Sequence, residues 1–120
     1  MRVLAVPLLA SSLITTMAPE RPPISGFMTV QSLLEHCDPA ENSEAGMGDV
    51  CVGYIAGSMD QIVARQASLP PSKRRVCIPA AVTIGDVKSV LVAHLRDMPG
   101  EGDAAAAFVV ERIAAAQFPC

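Results

Sequence analysis

The stretch CVGYIAGSMDQIV, residues 51–63, decides how this chain is read. It is apolar enough for a buried helix, yet it holds Gly53 and Gly57, four residues apart. Inside a helix each glycine costs about 1 kcal/mol relative to alanine. A second backbone can approach closely where no side chain stands, and the dispersion attraction of that close packing offsets the cost. Gly53 and Gly57 share one helix face, with Ala56 beside them and Ala64 further along. The expectation is tight helix packing across Gly53 and Gly57. The same spacing serves dimers of membrane helices, but Asp60 and Gln61 follow at once and argue against a bilayer. Tyr54 points elsewhere, its hydroxyl available at a surface or interface.

Working outward, the composition favours helices. The 120 residues suffice for one domain, and 51% of them are apolar. Only three Phe and one Tyr are present, so the core is aliphatic and alanine-rich, which suits helices better than aromatic strands. Residues 27–36 carry Phe27, Val30, Leu33, Leu34 and Cys37 as a helical stripe. A polar loop, 38–49, ends in Asp49 as N-cap of a second helix, 50–66. Residues 67–82 contain three prolines and a basic run, which exclude regular structure. Thr83 and Asp86 stand in capping-box spacing at the start of a third helix. There Ile84, Val87, Val90, Leu91 and Leu95 face one way, and Pro99-Gly100 ends the run. Asp103 caps a fourth helix, 104–117, marked by Phe108 or Val109, Ile113 and Gln117.

The N-terminus reads MRVLAVPLLASSLITTMAPERPP. Arg2 precedes an apolar run, 3–16, that is shorter than the roughly 18 residues of a membrane span, and Ala18 supplies a small residue after it. Residues 1–18 therefore read as a secretory signal peptide, 19–25 as an extended tether, and 26–120 as the folded domain. Pro19 is a poor residue for the scissile bond, so either the cleavage site lies nearby or the apolar run stays as an anchor.

Export gives the cysteines meaning. Cys37, Cys51, Cys77 and Cys120 form an even set, which favours disulfides in an oxidising compartment. Cys37 ends the first helix and Cys51 opens the second; Cys77 precedes the third and Cys120 follows the fourth. If the helices form two antiparallel hairpins, those ends adjoin, and Cys37 pairs with Cys51 and Cys77 with Cys120. The expected fold is thus all-α: a small four-helix domain of two hairpins, stapled twice. Metal binding is disfavoured because no C-x2-C or H-x3-H pair occurs. His36 and His94 read as ordinary helix-face residues, and the chain lacks G-x-S-x-G, Walker and H-E-x-x-H signatures. No catalytic residue, cofactor or metal is expected. A net charge of −3 and a pI near 5.2 argue against nucleic acid. Residues 19–60 hold seven acids against Arg21 alone, whereas 61–120 hold seven bases and five acids, an asymmetry that can steer a protein partner.

The blocks GFMTVQSLLEHC, CVGYIAGSMD, CIPAAVTIGDV, HLRDMP and the terminal FPC, taken in order from Gly26 to Cys120, resemble the Rap/Tai immunity proteins of type VI secretion systems. The resemblance implies a periplasmic helical protein, often a homodimer, that binds a papain-like peptidoglycan amidase and occludes its cleft without chemistry of its own. A periplasmic helical chaperone or stress protein is the alternative on the same scaffold. A plug needs a segment shaped before contact, because ordering a loose loop lowers affinity. Residues 68–76, SLPPSKRRV, fit that need. Pro70 and Pro71 restrict the backbone, and Lys73, Arg74 and Arg75 place positive charge near the tip. The acidic loop 38–49, with Glu41 and Glu44, is the rival surface.

Overall fold

The computed structural model describes residues 26–38 and 47–120. The expected signal peptide (1–18), the tether (19–25) and the acidic residues Glu41 and Glu44 lie outside the described residues. Among the described residues there are four α-helices: α1 (Val30–Cys37), α2 (Met47–Ala67), α3 (Ile84–Arg96) and α4 (Ala106–Gln117). Short 3-10 turns occur at Pro71–Lys73 and Pro99–Glu101. No named strand occurs among the described residues, so the fold is all-α as the residue pattern implies.

The helix starts show how local and long-range signals divide the work. A helix start leaves its first amides without intrahelical partners. At α1, the Thr29 hydroxyl accepts from the Ser32 N–H at 3.1 Å. Val30 and Gln31 donate to the carbonyls of Ala104 and Gly102, both at 3.0 Å. Thr29 is extended, in an isolated antiparallel bridge with Ala105. That bridge is why α1 begins at Val30 rather than Phe27, which lies outside the helix and exposed. In return, Ala106 at the head of α4 donates to the Met28 carbonyl at 2.8 Å. Asp103 is therefore not the cap of α4: the N-cap position is Ala105, and a partner from across the bridge supplies what a capping side chain would. Asp49 does not cap α2 either. The helix already runs from Met47, and the disulfide at Cys51 fastens that turn to the end of α1. Tertiary anchoring of this kind outweighs local cap preference.

The start of α3 is local, and it carries the capping box in full. Thr83 Oγ1 accepts from the Asp86 N–H at 3.2 Å. The Asp86 carboxylate accepts from the Thr83 N–H at 2.9 Å and from its hydroxyl at 2.7 Å. The backbone bond first, and the hydroxyl second, hold the Asp86 carboxyl below the ordinary aspartate range. A carboxyl depressed in the native state contributes stability that is complete above the unfolded value, about 4, and is lost as pH falls through the lower native value. Asp86→Ala is therefore expected to melt below the wild type at pH 7, with the gap narrowing toward pH 2. Parallel melting curves at several pH values check this; a gap independent of pH removes the charge from the account.

Each helix gives one face to a shared core, and all six helix pairs touch. From α2 come Cys51, Ile55, Met59 and Ile62. Leu33 of α1, Leu91 and Leu95 of α3 and Val110 of α4 are fully enclosed. In α3 the buried stripe is Val87, Leu91, Val92 and Leu95, whereas Ile84 is exposed. In α4 the core takes Val109 and Ile113 and leaves Phe108 outside. Disulfides join Cys37 to Cys51 and Cys77 to Cys120.

The described residues do not supply the close packing expected at Gly53 and Gly57. Gly53 and Gly57 are exposed, and a Cβ built at either meets nothing within 4 Å. At about 100° per residue, Gly53 lies roughly 200° round the helix from Cys51, on the face opposite the buried stripe. Among the described residues no backbone packs on them, so their propensity cost is not offset there. Gly57→Ala is accordingly expected to stabilise the protein by up to about 1 kcal/mol, through helix propensity and the restricted unfolded chain. Urea denaturation and size-exclusion together check this. A loss of stability, or a change in oligomer size, would place another surface against Gly57.

Candidate partner-binding site

The segment 68–76 leaves the end of α2, turns, and returns to the core at Val76. Each stage of that path is held by bonds to the end of α2, within the turn, or to the C-terminal residues. The Leu69 N–H donates to the Gln66 carbonyl at 3.1 Å, and the Ser68 hydroxyl to the Arg65 carbonyl at 2.7 Å. These pair late carbonyls of α2 that the helix leaves open. Pro71 then opens the 3-10 turn, at a position where a missing N–H costs nothing. Lys73 donates to the Pro70 carbonyl at 2.9 Å and Arg74 to that of Pro71 at 3.3 Å. The segment is therefore not wholly irregular: its prolines start a short helical turn instead of forbidding one.

The return limb is held from three directions. The Gln66 side-chain oxygen accepts from the Arg75 N–H at 2.7 Å and the Val76 N–H at 3.3 Å. Val76 is buried and forms an isolated bridge with Pro119. Cys77 donates to the Phe118 carbonyl at 2.8 Å and is bonded through sulfur to Cys120. The loop base is thus tied to both α2 and the C-terminal residues.

The three basic residues are not equivalent. Lys73 and Arg75 are exposed. Arg74 is half-buried, and its Nε donates across the loop to the Leu69 carbonyl at 3.2 Å. Arg74 therefore helps shape the loop, while Lys73 and Arg75 carry its outward charge.

A shallow groove of about 470 Å³ lies between α2 and α4, with none of residues 68–76 in its lining. Gly53, Gly57, Tyr54 and Phe108 are among the residues that line it. Tyr54 is half-buried against the core, and Phe108 is 54% exposed. Arg65 and Glu111 pair across the two helices at 2.8 Å, an exposed bridge that contributes little to stability.

All four cysteines are oxidised, so none of them offers a thiolate nucleophile. Among the described residues, no group of His, Cys, Asp and Glu is arranged to hold a metal ion. His94 has a structural use: its Nδ1–H donates to the Val90 carbonyl at 2.8 Å, and its Nε2 accepts from the Gln117 amide at 3.1 Å, linking α3 to α4. No helix among the described residues is long and apolar enough to cross a membrane.

Residues 29–120 match the family model for Rap1a immunity proteins. The chain belongs to that family. No curated protein and no solved structure gives a significant match. The matched span begins at the Thr29 cap and takes in all four helices, both disulfides and the whole 68–76 loop. Membership makes the chain an immunity protein, with a secreted effector protein as its partner. Two disulfides fit an oxidising compartment.

Gln66 carries no functional signal in the sequence pattern. Gln66 sits on the half-exposed side of the last turn of α2, where a glutamine has no pattern of its own. Phe108 could have been found as the one aromatic in its helix that competes with Val109 for the core.

Proposed function

We propose that this immunity protein neutralises a peptidoglycan amidase delivered by type VI secretion, acting in the periplasm after export on its N-terminal signal. The loop 68–76 enters the amidase cleft and excludes substrate. The observation that carries this reading is the loop's fixed shape in the free chain. Its entry, turn and return are each hydrogen-bonded, so little conformational entropy remains to be lost on contact. Lys73 and Arg75 then meet acidic groups at the cleft mouth. The chain contributes no reacting group; it inhibits by occupancy. If a homodimer forms, the groove over Gly53, Gly57 and Phe108 is its candidate face.

The test is a search of the genes beside the one for this chain for a secreted peptidoglycan amidase, followed by a titration of that amidase. Wild-type protein is expected to bind it and to stop hydrolysis of purified peptidoglycan at a stoichiometric ratio. An amidase that keeps full activity in excess immunity protein rules the reading out.

A further inference from the structure

Resting on the loop-in-cleft reading, we infer that Gln66 is a positioning residue, a clasp that holds both ends of the 68–76 loop in the shape the effector recognises. Gln66 stands in the last turn of α2 (Met47–Ala67), a rigid base. Its backbone carbonyl takes the Leu69 N–H at 3.1 Å, which fixes where the loop departs. Its side-chain oxygen takes the Arg75 and Val76 N–H groups at 2.7 and 3.3 Å, which fixes where the loop returns. One carbonyl oxygen has two lone pairs and can accept both. The clasp spans nine and ten residues of sequence with a single side chain.

The return end has a particular need for it. Val76 is buried, so its N–H is costly to leave unpaired. Arg75 carries outward charge, and the amide bond to Gln66 sets the direction in which its side chain leaves the backbone. The Cys77–Cys120 bridge anchors the chain two residues beyond Arg75 but makes no bond to Arg75 itself. Without the clasp, the 3-10 turn and the Arg74 bond to Leu69 remain, while the limb carrying Arg75 samples other directions. A binding shape populated only part of the time lowers the apparent affinity by that fraction, and does so through the association rate.

Gln66→Leu removes the acceptor, with Gln66→Ala as a second variant should leucine disturb folding. Gln66→Glu keeps an oxygen in place and is the conservative rescue. Amide hydrogen exchange in the free protein is expected to quicken at Arg75 and Val76 by about tenfold in the leucine variant, and to stay near wild type in the glutamate variant. Against the peptidoglycan amidase of the proposed function, the leucine variant is expected to bind about tenfold more weakly, through slower association, with glutamate restoring the rate. Unchanged exchange at Arg75 and Val76 in both deletion variants overturns the clasp. Faster exchange with unchanged association overturns its part in recognition. If wild-type protein fails to bind the amidase, the cleft reading falls, and recognition through the clasp falls with it; the exchange data still decide the clasp itself.

Discussion

Replacing Cys77 and Cys120 together with alanine is expected to lower stability by about 4 kcal/mol, the largest stability effect among the substitutions considered. The bridge closes 43 residues of chain, against 14 for Cys37–Cys51. On loop-closure entropy the longer bridge removes more freedom from the unfolded state; the shorter one is worth about 3 kcal/mol. The long bridge encloses α3, α4 and the connection between them, so its loss frees half the core-forming helices in the unfolded ensemble. In the native state, the Val76–Pro119 bridge and the Cys77 bond to the Phe118 carbonyl stay available. The double variant is therefore expected to fold, with the same helices and a lower denaturation midpoint. Urea unfolding of oxidised wild type and the double variant measures the difference. A loss under 1 kcal/mol would mean that the unfolded chain is already held near this geometry by other contacts. A chain of this size has a few to about 15 kcal/mol of stability in total. Loss of both bridges in a reducing compartment would leave little of it, so the two disulfides fit an oxidising compartment.

What can be read from the residues alone follows the range of the interactions. The Thr83–Asp86 box is legible because a single turn of chain carries it whole, and the tertiary structure does not interfere. The cysteine pairing is legible because it needs only the ends of elements, not their packing. The buried stripe of α2 is also present in the sequence, as Cys51, Ile55, Met59 and Ile62. The glycines beside it are the more conspicuous pattern, and they occupy the face away from the core. A glycine pair in a helix says that no side chain is wanted there, but not which neighbour benefits. The α4 start is illegible for a different reason: its amide finds the Met28 carbonyl, nearly eighty residues earlier in the chain, and no local pattern announces such a partner. Phe108 and Val109 differ by one step round the helix, about 100°. Only the docking of α4 on α2 and α3 decides which of them is buried. The candidate site divides the same way. The loop and its prolines are visible as composition, whereas the Gln66 clasp and the inward turn of Arg74 are contacts across the loop.

Reversing the outward charge of the loop, with Lys73→Glu and Arg75→Glu together, is expected to weaken effector binding by about a hundredfold, near 2.7 kcal/mol. The two residues are chosen because they are exposed and Arg74 is not. Changing Arg74 would disturb the loop's own bond to Leu69 and confuse shape with charge. Removing a rim charge alone costs a modest amount, since solvent screens it; placing a like charge against the partner's acids adds repulsion, which can reach several kcal/mol when desolvated. The stability of the free protein should hardly move, because exposed surface substitutions of this kind stay within about 0.5 kcal/mol. Charge also leaves a kinetic signature. Wild-type association should slow as salt rises, and the reversed variant should lose that dependence or invert it. Neutral replacement by serine is the intermediate case and should fall between the two. Binding by the reversed variant at wild-type strength, with the same salt dependence, would remove the loop's charge from recognition. Recognition would then pass to the acidic residues Glu41 and Glu44 or to the α2–α4 groove, and Glu41→Gln with Glu44→Gln, beside Phe108→Ala, would separate those two surfaces.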